Sequence, residues 1–172
     1  LRNSALSAED KQLIEMRGIQ YIKHYASETF ETLGTEVGFS IKIYEDNSKI
    51  FLYEGCIDWI GKMTVKEGSQ YITYLTVMDH KSESRVSNIY SFNNQVMGYI
   101  VASGATYFVY NYFGLQQTKT SSECFRREAF RFRTAQLNNW KKSLLHWFHK
   151  IYEDKEFQRS WHCEGKYGIC RY

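Results

Sequence analysis

Six cations, Arg126, Arg127, Arg131, Arg133, Lys141 and Lys142, face a single acid, Glu128, within 17 residues, and Phe130, Phe132 and Trp140 are interleaved with them. Cations neutralise phosphates and exposed rings stack on unpaired bases, so the segment has the chemistry of a nucleic-acid contact. An acidic protein surface would meet it equally well. A basic edge strand that resists pairing with other chains is a third reading.

Other constellations are thinner. His146, His149 and Glu153 recur at helical spacing and could approach a divalent metal, but that side of a helix reads as solvated, so no metal site is assigned. Cys56, next to Asp58 and Trp59, would need a base such as His24 or His80 brought to it by folding before it could act as a nucleophile. Burial as a small hydrophobe, or as half of a disulfide, is the plainer role. Gly55, Gly61 and Gly68 do not make a phosphate loop. Glu36, Asp46, Glu54 and Asp58 read as turn or polar-face carboxylates without a paired-acid signature. No catalytic residue and no cofactor follow from these patterns.

The four cysteines are Cys56, Cys124, Cys163 and Cys170. The spacing of Cys163 and Cys170, with Gly165 and Gly168 between them, suits a short disulfide-closed loop and favours a secreted or otherwise extracytoplasmic setting over the cytoplasm. The absence of any Asn-x-Ser/Thr sequon weighs against glycosylation. No signal-peptide pattern is legible from Leu1 onward. Val96–Leu115 is apolar and uncharged but carries Ser103, Asn111 and four tyrosines, so no transmembrane segment is expected.

The 172 residues fit one domain, 1–172, able to bury roughly 70% of its unfolded surface. Aromatic residues make up 17% of the chain and proline is absent, so turns must come from Gly, Asn, Asp and Ser. Net charge is +3, but residues 1–60 hold 6 Lys/Arg against 10 Asp/Glu while residues 116–172 hold 12 against 6. Such polarity either marks a surface for an anionic partner or draws the two ends of the chain together.

The elements that would position these groups follow from periodicity. Ser7 and Asp10 form a capping box, and Met16, Ile19, Ile22, Ala26, Phe30 and Leu33 make one apolar stripe, which predicts a helix over 8–33 ended by Gly34. Alternation then predicts strands over 37–44, 49–55, 69–79, 85–92, 95–102 and 105–113, joined by short polar turns and hence antiparallel. A strand near 124–134 puts Phe130 and Phe132 on one face and Arg131 and Arg133 on the other. Leu137, Trp140, Leu144, Trp147 and Ile151 share a stripe and predict a helix over 136–155 docked on the sheet.

The expected architecture is therefore α+β: a long N-terminal helix packed on a curved antiparallel meander of five to seven strands, with a C-terminal amphipathic helix. That outline resembles cystatin-like and NTF2-like folds. Val101–Gly104 with Tyr107–Val109 resembles the loop and following strand of cystatins over about ten residues, although cystatins place their helix where 69–92 reads as strand. The expected function is a non-enzymatic binding module with a protein partner. Nucleic-acid binding through Arg126–Lys142 is the first alternative, and a small enzyme with a pocket between helix and curved sheet is the second. Oligomeric state is left open.

Overall fold

The structure, a computed structural model, describes residues 7–83, 94–115 and 121–153. It is α+β, with the order α1 (Ala8–His24), β1 (Phe30–Glu45), β2 (Ile50–Glu67), β3 (Gln70–Glu83), α2 (Asn94–Ser103), β4 (Tyr107–Gly114), a single turn α3 (Ser121–Cys124), β5 (Phe125–Phe130) and α4 (Thr134–Glu153). The five strands form one sheet in sequence order. β1–β2, β2–β3 and β4–β5 are antiparallel.

α1 begins as its sequence demands: Ser7 Oγ accepts from Asp10 N (3.0 Å) and Asp10 Oδ2 accepts from Ser7 N (3.3 Å). It is shorter than its apolar stripe suggested, because Phe30 and Leu33 already belong to β1. The stripe is not the packing face either. Met16, Ile19 and Ile22 are exposed while Arg17 is the buried residue. α1 is anchored instead through Tyr21, whose ring meets Phe125 at 5.5 Å and Phe113 at 5.9 Å.

β1 and β2 are longer than alternation indicated. Asp46 turns one into the other by accepting from Ser48 N (2.8 Å) and Lys49 N (3.0 Å), bonds that hold its carboxyl well below the usual range. Gly68, at φ +62°, supplies the left-handed residue of the β2–β3 turn.

The expected meander fails at one place. Gln95–Ala102 is a helix rather than a strand, and it carries the chain over the sheet so that β4 returns parallel to β3. A fully apolar run cannot reveal its period, since every position is buried whichever way it coils. Val96, Met97, Gly98, Tyr99 and Ile100 are all buried. A Cβ on Gly98 would lie 2.4 Å from the Tyr53 ring, so glycine lets α2 sit directly on β2. Gly104, at φ +67°, ends the helix by donating to Ile100 O (2.9 Å). Val101–Ser103 thus close a helix, so the cystatin-like loop is not formed. The predicted strand at 85–92 lies outside the described residues.

The core joins α2 to one face of the sheet, with Ile57, Val77, Tyr99, Phe108 and Tyr110 at its centre and Phe130, Phe132 and Leu137 packed around it. A second cluster of Trp59, Met78 and Val109 lies on the opposite face. α4 begins two residues before the predicted start and docks through Leu144 and Trp140. Trp147 and Ile151, expected to be buried, are 52% and 53% exposed. Among the described residues no helix is long and apolar enough to cross a membrane.

Candidate active site

The sheet divides at Asp58 and Asp79. The β2–β3 ladder runs from Glu67–Gln70 to Trp59–Met78 and stops there. Beyond it β2 pairs only with β1, from Ile57 to Ile50, and β3 pairs with β4 from Asp79 onward. Asp58 and Asp79 occupy the next facing position, where the two halves part.

β2 also rolls over at this point. Ile57 packs with Val77 and Phe108 while Trp59 packs with Met78 and Val109, although residues two apart on a regular strand share a face. Across β1, the pairs Thr35–Trp59 and Val37–Ile57 flank an unpaired Glu36 at φ 51°, opposite Asp58. Non-glycine residues rarely take that conformation, and such departures gather at functional sites.

Asp79 is 1% exposed. Its Oδ1 accepts from Gln95 Nε2 (2.8 Å). Lys81 Nζ pairs with Oδ2 at 2.7 Å. Burial pushes the Asp79 carboxyl up, Lys81 pulls against it, and the charge of Asp58 adds to the rise. Asp58, on β2, is held by the backbone of β3, with Oδ2 accepting from His80 N (3.0 Å). α2 supports both acids: Gln95 Nε2 also contacts Tyr99 OH (3.1 Å), and Tyr99 OH donates to Cys56 O, two residues before Asp58. Burial raises the Tyr99 phenol to about 12, so it stays a donor.

The chemistry this donor set permits is specific. Two carboxylates and a partly exposed lysine, already paired with Asp79, meet where the sheet opens. Among the described residues no three His, Cys, Asp or Glu side chains form a metal-holding group. A divalent ion here would therefore take two carboxylates and complete its shell with water and substrate oxygens. That arrangement suits Mg²⁺, which keeps waters and commonly binds one or two carboxylates plus phosphate, better than a closed Zn²⁺ site.

The predicted basic site is scattered by the fold. Arg126 shares a sheet face with Lys81, because Lys81 pairs with Tyr112 and Tyr112 with Arg126. It is exposed, lies 5.1 Å over the Tyr112 ring and pairs with Glu128 at 2.7 Å. Arg127 points the other way and is locked in structure. Its Nε donates to Asn111 Oδ1 (3.0 Å), its Nη2 to Tyr21 OH (2.9 Å), and it pairs with Glu28 and covers the Tyr25 ring at 3.8 Å. Arg131 lies 5.9 Å from the Tyr107 ring. Arg133 precedes α4, and Lys141 and Lys142 are exposed on α4.

Of the other candidates, Cys56 carries a free thiol. The Cys56 thiol is raised by desolvation and by Glu36, to which Sγ donates at 3.5 Å, the reverse of an activated nucleophile. His149 and Glu153 stand 4.0 Å apart, and His149 packs its ring on Tyr44 and Phe51. Cys163 and Cys170 lie outside the described residues. Sequence reasoning passed over Asp79 and Lys81, reading them as the end of a strand and the start of a turn. The available signal was an acid and a lysine two residues apart, on one face, closing an apolar strand.

No family model and no curated protein matches this chain. Among solved structures it is similar to one described as "Crystal structure of SSO0001", at 11% identity and a TM-score of 0.40, over 81% of this chain. The chain spans 58% of the length of that structure.

Proposed function

We propose that this chain is a divalent-metal-dependent phosphodiesterase acting on nucleic acid. The observation that carries the reading is the pair Asp58 and Asp79 at the parting of β2 and β3, with Lys81 against Asp79. Asp58 and Asp79 would hold the ion, which when bound would supply Lewis-acid activation for hydrolysis of a phosphodiester by water to a phosphomonoester and a sugar hydroxyl. Lys81, a point charge beside Asp79, would offset the negative charge that grows on the phosphoryl oxygens. Arg126, in the same cross-strand row as Lys81, is placed to hold a neighbouring phosphate. Gln95 and Tyr99 keep the carboxylates aligned and are positioning residues.

The experiment is incubation with labelled single-stranded and duplex DNA and RNA in Mg²⁺, in Mn²⁺ and in chelator. Divalent-dependent strand cleavage that disappears in Asp79→Asn and in Lys81→Ala, both still folded, supports the reading. Cleavage that persists in chelator or in Asp79→Asn overturns it.

A second reading, a non-enzymatic module with a protein partner, is favoured by α1, where Ile19 and Ile22 are 50% and 70% exposed. Absence of divalent-dependent product from every polymer would leave this second reading standing.

A further inference from the structure

We infer that the unpaired bases of a single-stranded nucleic acid dock in the aromatic groove between the outer half of β2 and α4. The inference deepens the nuclease reading and takes the class of polymer from it. The groove encloses about 500 Å³ between Tyr53 on β2, Asn94 at the start of α2, and Trp140, Leu144 and Trp147 on α4. Phe148 and Ile151 line both this groove and a smaller hollow of about 280 Å³ that reaches Phe51 and Tyr152. The two hollows are neighbours along α4.

Three features define its occupant. The first is exposed ring area: Trp147, on the stripe expected to be buried, is 52% exposed, and Tyr152 is 61% exposed. The second is a cation over one face of each of these rings. Lys49 Nζ lies 4.5 Å from the Tyr152 ring centroid, and Lys150 Nζ lies 5.2 Å from that of Trp147. A ring to stack on a base and an ammonium to meet its phosphate are the two elements of a sequence-tolerant single-strand site. In a duplex the base faces are already stacked on one another and cannot use them.

The third is continuity with the acids. Asn94 lines the groove, where its Oδ1 accepts from Trp140 Nε1 (3.0 Å) and its carbonyl accepts from Tyr53 OH (2.9 Å). The next residue, Gln95, donates to Asp79. The groove and the acids are thus joined through the first two residues of α2.

The test separates docking from cleavage. Fluorescein-labelled oligothymidylate, oligouridylate and a hairpin duplex of equal length are titrated with Asp79→Asn protein in chelator, and anisotropy is read. Either unpaired oligomer should bind at least about tenfold more tightly than the duplex, and the better of the two identifies the sugar. Trp147→Ala and Tyr152→Ala should each weaken single-strand binding about fivefold or more while leaving duplex binding unchanged. Both side chains are more than half exposed, so both variants should keep the parent circular dichroism. Equal affinity for single strand and duplex, or unchanged single-strand affinity in both folded variants, overturns the inference. Wild-type protein that binds single strands through these rings but never cleaves them refutes the nuclease reading alone.

Discussion

Asp58 and Asp79 face each other one step beyond the last hydrogen-bonded pair of β2 and β3, so the sheet opens where its two acids meet. The β2–β3 ladder stops short of them. Because it stops, β2 turns toward β1 and β3 toward β4. The acids are left at the mouth of a fork, with α2 behind them.

The first prediction concerns pH. Asp79 is buried and its folded-state carboxyl is raised above the ordinary value. A raised folded pKa means that the fold binds the proton more tightly than the unfolded chain. Stability from this group is therefore present at acid pH and is lost as pH rises through the folded pKa. At neutral pH and in chelator, Asp79→Asn should have a higher thermal midpoint than the wild type, and the gap should shrink as pH falls below the ordinary carboxylate range. Added Mg²⁺ should raise the wild-type midpoint and not that of the variant. A lower midpoint for Asp79→Asn at neutral pH would show that the Gln95 and Lys81 contacts outweigh the burial.

The second separates neighbouring arginines. Arg127→Ala removes the partner of Asn111, Tyr21 and Glu28 together and should cost about 3 kcal/mol in chemical denaturation. Arg126 is exposed, so Arg126→Ala should change stability by less than about 0.5 kcal/mol while weakening polymer binding and flattening its salt dependence. Equal stability losses would contradict the division of this segment into a structural and a contact residue.

The third concerns α4. Leu144 is 8% exposed, and Leu144→Ala should cost about 2–5 kcal/mol. Trp147→Ala should cost far less, because half of its surface is already wet. A Trp147→Ala loss as large as that of Leu144→Ala would return Trp147 to the core.

The fourth tests the support of the acids. Tyr99→Phe keeps the ring in the core but removes the hydroxyl held between Gln95 and Cys56 O. The expected cost is about 1–3 kcal/mol in stability. Cleavage should fall through kcat rather than KM, since positioning rather than substrate contact is lost. A change confined to KM would place Tyr99 against the substrate instead.

Much of this architecture was legible in the residues and some was not. The Ser7–Asp10 cap and the alternation of Phe39, Ile41 and Ile43 follow local rules and appear where those rules put them, whereas α4 forms as its stripe predicts but leaves Trp147 and Ile151 exposed. Phe30 and Leu33 continue the stripe of α1 at helical spacing, yet tertiary pairing with β2 draws Phe30 into a strand opposite Met63. Gln95–Ala102 offered no period to read because α2 is buried nearly all round. With α2 taken for a strand, the parallel return of β4 was invisible, and with it the row that joins Lys81 to Arg126. The acids were missed for a related reason. Asp58 and Asp79 are 21 positions apart, and only the register of β2 against β3 sets them face to face.

The claim on which the account rests is that Asp58 and Asp79 together hold a divalent cation. Titrating the protein into a fixed concentration of Mn²⁺ and following the electron paramagnetic resonance of the free aquo ion tests it directly. The account predicts saturable loss of the free signal with wild-type protein, reversed by excess Mg²⁺, and no loss with the folded Asp58→Asn/Asp79→Asn variant. An undiminished signal with the wild type, or the same loss with the double variant, would contradict it.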